Sequence, residues 1–205
     1  MNFLAHCLIA TRAAHRTEDA ALVAGGFLGD FIKGPLPQEM PRGLALGVRL
    51  HRRIDAYSNQ HPGIRTSSRR FPAELRRIAP ILVDVLCDHL LSSRWEEFHA
   101  ASLPGFTTHI YDVVASHEEW LTDNGHRFLA YARERDLLAS YADWEVVLGA
   151  LRSITRRLGR NELNPLLERA VPALLADLEA DFVSYFPDII DHARFWVAGE
   201  REPDC

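Results

Sequence analysis

Apolar residues recur at three- and four-residue intervals along almost the whole chain. Leu4, Cys7, Leu8 and Thr11 set the period, and Leu22, Val23, Phe27 and Phe31 repeat it, the pattern of helices that bury one face. The same period predicts further helices over 40–58, 62–77, 80–99, 105–122, 125–139, 141–159 and 163–196. Breaks fall at Gly34-Pro35-Leu36-Pro37, His61-Pro62-Gly63, Leu103-Pro104-Gly105, Asp123-Asn124-Gly125 and Asn164-Pro165, where glycine and proline punctuate helices. Asp143, and Thr17 with Glu18 and Asp19, stand where acids favour a helix start. Pro172 and Pro187 are expected to divide or bend the last stretch, because proline removes a backbone donor. Sustained period-two alternation, repeats and long linkers are all missing. The chain therefore reads as one all-α domain over residues 1–205.

Length and composition narrow the class without changing that picture. At 205 residues, 47% hydrophobic and 25% charged, the chain is ordinary globular material large enough for one core. Its three cysteines, Cys7, Cys87 and Cys205, are odd in number and form no CxxC pair. That argues against a disulfide framework or a cysteine zinc site and fits a reducing, cytoplasmic setting. Apolar runs such as Ile78-Ala79-Pro80-Ile81-Leu82-Val83 fall far short of the roughly 20 residues that cross a bilayer. The opening Met-Asn-Phe-Leu-Ala-His lacks a basic signal-peptide start, so no membrane association is expected.

Charge is uneven. From Arg42 to Arg77 there are nine arginines against Asp55 and Glu74, a net of +7 in a chain whose total is −5. A basic segment in an acidic protein suits an anionic partner, although a solvated arginine-rich surface is the plainer account. Arginine's planar fork matches phosphate and carboxylate, and Lys33 is the one lysine. Nucleic acid is disfavoured: only Tyr57 and Phe71 interleave the basic run, and the overall charge is negative.

The glycines of 25–29 form neither a GxxxxGK[ST] nor a GxGxxG phosphate loop, and there is no GxSxG elbow. What stands out is His and Asp on apolar helices. His6 follows Asn2 by four, Asp30 closes Gly25-Gly26-Phe27-Leu28-Gly29, and His51 and Asp55 are four apart. Asp84 and Asp88 repeat that spacing beside His89. A four-residue step on a helix aims two side chains at one point, which suits two ligands of one metal. A lone buried Asp or His is more often a hydrogen-bonded core group, and Arg52, Arg53 and Arg94 are available counter-ions. Four helices carrying such residues together point to a polar site between helices, where bundles hold metals. Imidazole with carboxylate and no thiolate suits zinc, manganese or iron(II), and the oxygen-rich balance leans toward manganese or magnesium. A metal beside arginines suggests phosphoester hydrolysis. His15, His61, His99, His109, His117, His126 and His192 carry no specific expectation, while Trp95, Trp120, Trp144 and Trp196 with Cys7 and Cys87 read as core.

At these residues the sequence resembles the acyl carrier protein phosphodiesterases, also called acyl carrier protein hydrolases. The matching segments are MNFLAH at 1–6, GGFLGDFIKG at 25–34, HRRIDAYSN at 51–59 and APILVDVLCDHLLSSRW at 79–95, with a weaker echo in LEADFVSYFP at 178–187. The family is distantly similar to HD-type metal phosphohydrolases, which implies a helical bundle of that kind. Their adjacent His-Asp pair is reversed here, Asp88-His89, so their ligand scheme does not transfer position by position. The resemblance implies cleavage of the phosphodiester joining 4′-phosphopantetheine to a serine of acyl carrier protein, with manganese the usual ion. Acyl carrier protein, small and acidic, would complement the +7 stretch. It also gives a set of roles. His6, Asp30, His51, Asp55 and Asp88 are expected as metal ligands. Asp88, His89, Asp84 and Arg52 are expected in catalysis, His89 and Asp84 as a further ligand, an orienting group or a proton donor to the leaving serine oxygen. Arg53, Lys33, Asn2 and Arg49 are expected to bind substrate. Two alternatives stay open: a helical metal phosphohydrolase acting on a nucleotide or other small phosphodiester, and a non-catalytic module that binds an acidic partner. The oligomeric state is not legible.

Overall fold

A computed structural model describes residues 1–14 and 19–201. Among them are eleven α-helices and no strand: α1 (Phe3–Ala13), α2 (Ala20–Leu28), α3 (Arg42–Gln60), α4 (Pro62–Arg70), α5 (Ala79–Ser93), α6 (Trp95–Phe98), α7 (Leu103–Ala115), α8 (Asp123–Arg135), α9 (Leu137–Ser140), α10 (Trp144–Arg157) and α11 (Asn164–Arg201). The all-α expectation holds, and among the described residues no helix is long and apolar enough to cross a membrane. Thr17 and Glu18 lie outside the described residues, and Asp19 stands at the N-cap position of α2. Asp143 caps α10, its Oδ1 accepting from Glu145 N at 2.9 Å.

Several predicted helices are shorter than their hydrophobic period. The 62–77 segment stops at Arg70: Phe71 is extended (φ −65°, ψ 146°), the conformation that Pro72 imposes on its predecessor. The 80–99 segment breaks at Arg94 and the 105–122 segment ends at Ala115. Asp136 splits 125–139 by adopting a left-handed conformation (φ 44°, ψ 52°). The last segment errs the other way. α11 runs unbroken through Pro172 and Pro187. Both prolines are exposed, so the carbonyls they leave unpaired face water, while Val171, Leu178, Phe182, Phe186 and Ile189 hold the helix to the core.

α2 and α3 pack most closely. Gly25 of α2 meets Gly47 of α3 backbone to backbone: a Cβ on Gly47 would stand 2.1 Å from Leu22 O, and one on Gly25 would stand 2.4 Å from Leu44 O. α1 is buried between α2, α5 and α11. Along α3 the buried stripe runs Leu44, Val48, His51, Ile54 and Ser58, so His51 takes a core position and Asp55 borders it.

α4 is fastened to α11 by a forked ion pair. Arg70 Nε and Nη2 donate to Asp181 Oδ2 and Oδ1 at 2.7 and 2.8 Å, and Ser67 Oγ donates to Oδ2 at 3.0 Å. Partial burial pushes the Asp181 carboxyl up, but Arg70 and Ser67 outweigh it and hold it below the ordinary value. A carboxyl lowered in the folded state stabilises fully above its unfolded pKa, roughly 3.9, and that contribution fades as pH falls through the folded value. Arg70→Met is therefore expected to lower the urea midpoint at pH 7. The gap to wild type should narrow progressively once the pH drops below about 4.

Two histidines without an expected role have structural ones. His61 Nδ1 accepts from Gly63 N at 3.2 Å and caps α4, and His192 stacks on Tyr57 with centroids 3.9 Å apart. Trp95 is buried, and Trp120, Trp144 and Trp196 pack against the core.

Candidate metal centre

Helices α1 and α3 bring His6, His51 and Asp55 together, with one donor atom from each inside a 4.8 Å envelope. His6 and His51 are 0% and 3% exposed, and their rings stack with centroids 3.8 Å apart. His6 Nε2 lies 3.0 Å from Asp55 Oδ1, and His51 Nε2 lies 3.4 Å from Asp55 Oδ2. Asp30, at the end of α2, reaches His51 Nε2 at 3.9 Å through Oδ1.

The glycines of α2 make this arrangement possible. The His51 Nδ1–H donates to Gly26 O at 2.8 Å, which fixes the tautomer and leaves the Nε2 lone pair facing the carboxylates. Gly29 gives the ring its room, since a Cβ there would stand 2.2 Å from His51 Cγ. Neither role follows from a phosphate-loop motif. The available signal was a matched spacing, Gly25 and Gly29 on one helix and Gly43 and Gly47 on the other, which lets two backbones approach.

Electrostatics set the protonation states. Burial, then the facing His51, lowers His6 to about 3, so its ring is neutral. Its Nδ1 is buried without a hydrogen-bond partner. Burial works against ionising Asp55, but the adjacent His51 and His6 and the Met1 ammonium prevail and hold its carboxyl far below the ordinary range. Burial raises both Asp30 and Asp84. The Met1 ammonium lies between Asp55 Oδ1 (3.2 Å) and Asp84 Oδ1 (3.4 Å), so positive charge already sits where these carboxylates converge.

The other expected site residues lie around this trio. Asp88 is fully buried and receives the N–H groups of Leu4 (3.0 Å to Oδ2) and Ala5 (2.9 Å to Oδ1). It thereby caps α1, satisfying donors that a helix start leaves open, and it fixes the turn that carries His6. Burial nevertheless pushes Asp88 up to about 7, against those two hydrogen bonds. His89 points elsewhere, its Nδ1–H donating to Tyr141 O at 2.8 Å. Arg52 Nη2 donates to Ile32 O at 2.9 Å, holding the chain that follows α2. Arg53 reaches His192 Nε2 at 3.2 Å and Arg49 reaches Glu200 at 3.5 Å. Lys33 is exposed, and the side chain of Asn2 lies toward Tyr141.

The donor set fits a divalent ion. Two imidazoles and a carboxylate offer lone pairs, and donors about 2.0–2.2 Å from a common ion stand roughly 3–4.4 Å apart, within the 4.8 Å envelope. No thiolate takes part.

The family described as acyl carrier protein phosphodiesterase matches residues 1–189 of the chain. The acyl carrier protein phosphodiesterase of Photorhabdus laumondii is 29% identical over 195 residues, covering 95% of this chain and 96% of its own. That of an Escherichia coli O157:H7 strain is 30% identical over 201 residues, 94% and 97% of the two chains. That of Yersinia enterocolitica is 32% identical over 158 residues, 77% and 79%. No solved structure matches. With nearly its whole length matched, the chain belongs to the acyl carrier protein phosphodiesterase family.

Proposed function

We propose that this protein hydrolyses the phosphodiester that joins 4′-phosphopantetheine to the serine of holo-acyl carrier protein, using a divalent ion, manganese being the one that the family resemblance implies. The observation that carries the reading is the convergence of His6, His51 and Asp55 in a chain of this family. Those three residues would hold the ion, with Asp30 the nearest further carboxylate. When bound, the ion supplies Lewis acidity, lowering the pKa of water and drawing charge from phosphorus.

The chain's own groups do the rest. Gly26 O keeps the His51 lone pair aimed inward. Asp55, ionised and flanked by both rings, sets their spacing. Asp30 and Asp84 are raised and half-buried at the edge of the trio, suited to take the proton of the attacking water and return it to the departing serine oxygen. Water oxygen bonds phosphorus, the phosphorus–serine oxygen bond breaks, and the products are 4′-phosphopantetheine and apo-carrier. Of the basic segment, Arg70 is committed to Asp181, whereas Arg65 and Arg69 are exposed one turn apart on α4. They supply the face for an acidic carrier, a contact that steers encounter and weakens with salt.

The test weighs the carrier. Incubation with manganese should lower the mass of holo-carrier by one phosphopantetheine, chelation should stop the reaction, and added manganese should restore it. Cleavage of a generic aryl phosphodiester with the carrier mass unchanged would instead favour a small-phosphodiester hydrolase.

A further inference from the structure

Beside the metal centre lies a cavity of about 320 Å³ between the start of α1, α5 and the α8–α10 layer. Its walls are largely apolar, with Phe3 and Phe128 stacked 4.5 Å apart on one side. Its polar groups are few: Asn2 with Tyr141, Asp88, Ser153 and Arg157. Apolar walls with a few fixed polar groups characterise small-molecule sites.

Two stretches of chain run from the metal centre into this cavity. Met1 touches Asp55 and Asp84, and the next residues, Asn2 and Phe3, line the cavity. On α5, Asp84 faces the Met1 ammonium and Asp88, one turn on, lines the cavity. One turn spans about 6 Å, so the cavity begins about one helical turn from Asp84 at the edge of the trio. His89 secures the far wall by donating to Tyr141 O, and Asp88 secures the near wall by capping α1.

We infer that this cavity receives the pantetheine arm of the substrate, a flexible chain whose amides need both donors and acceptors. Asn2 and Tyr141 offer both, Ser153 stands on α10, and the aromatic pair covers the chain's methylene and gem-dimethyl carbons. The occupant follows from the reaction proposed above and rests on that reading. The cavity would select substrates by the arm rather than by the phosphodiester alone, and Asn2, which lies toward Tyr141 rather than the trio, serves there as a binding residue.

The probe is pantetheine, which has no phosphate, titrated calorimetrically into metal-free protein. Saturable binding is expected in the millimolar range or tighter. Ala150→Phe and Ser153→Phe, which fill the cavity from α10, should each weaken it by about tenfold or more, the scale on which pocket shape discriminates. Unchanged circular dichroism would show that the fold is intact. The same variants should lower kcat/KM for holo-carrier by a similar factor. Absence of saturable binding to wild type overturns the inference, as does equal binding by either folded variant. If wild type binds pantetheine yet never lightens holo-carrier, the reaction fails while the cavity stands; if carrier is cleaved and the variants match wild type, the cavity fails alone.

Discussion

Asp55→Asn is expected to cut kcat/KM for holo-carrier by about 10³-fold or more, the scale of losing a charged group aimed at a reacting centre, while the protein stays folded. Asp55 touches both imidazoles and the Met1 ammonium. Those partners keep it ionised despite burial. Asparagine preserves its shape but removes the charge and turns an N–H₂ toward a neutral ring. The side chain is 40% exposed, so the substitution opens no core cavity. Manganese affinity, measured from free Mn²⁺ by electron paramagnetic resonance, should fall in parallel. By contrast, Arg69→Ala, on the outer face of α4, should raise KM, most at low salt, and leave kcat near wild type. Wild-type manganese affinity and turnover in Asp55→Asn would remove the trio from the chemistry.

The trio was legible because its residues violate a pattern. His6 and His51 occupy positions where the helical period calls for apolar side chains, and the four-residue step from His51 to Asp55 is a geometric statement about a single helix. Asp84 and Asp88 have the same step on α5, yet only Asp84 approaches the trio. Asp88 turns to the N–H groups of Leu4 and Ala5, because its environment depends on where another helix begins, which periodicity within α5 does not encode. The arginines behave likewise. Composition singled out a +7 segment, but only the packing of α4 on α11 tells Arg70, spent on Asp181, from Arg65 and Arg69. Helix ends depart from the apolar period where tertiary context decides: Asp136 breaks a helix that its period would continue, and the exposed prolines of α11 do not break theirs.

Gly47→Ala is expected to be the most damaging single methyl group in the protein, costing more than about 3 kcal/mol and leaving little folded protein at 37 °C. The added carbon would stand 2.1 Å from Leu22 O and 2.8 Å from Gly25 Cα. Both are backbone atoms, so no rotamer change relieves the contact and the two helices must separate. Separation spreads to the His6–His51–Asp55 trio, since His51 lies one turn beyond Gly47 and its Nδ1–H depends on Gly26 of the opposite helix. Manganese affinity should therefore fall in whatever folded fraction survives. Gly149→Ala supplies the contrast: it lies within α10, and a Cβ there meets nothing within 4 Å. Removing a helix-interior glycine should stabilise by about 0.5–1 kcal/mol. Urea unfolding of the two variants thus separates the helical propensity of alanine, common to both, from the backbone contact unique to Gly47. A Gly47→Ala protein as stable as Gly149→Ala would mean that α2 and α3 do not approach so closely, and the placement of His51 against Gly26 would fall with that contact.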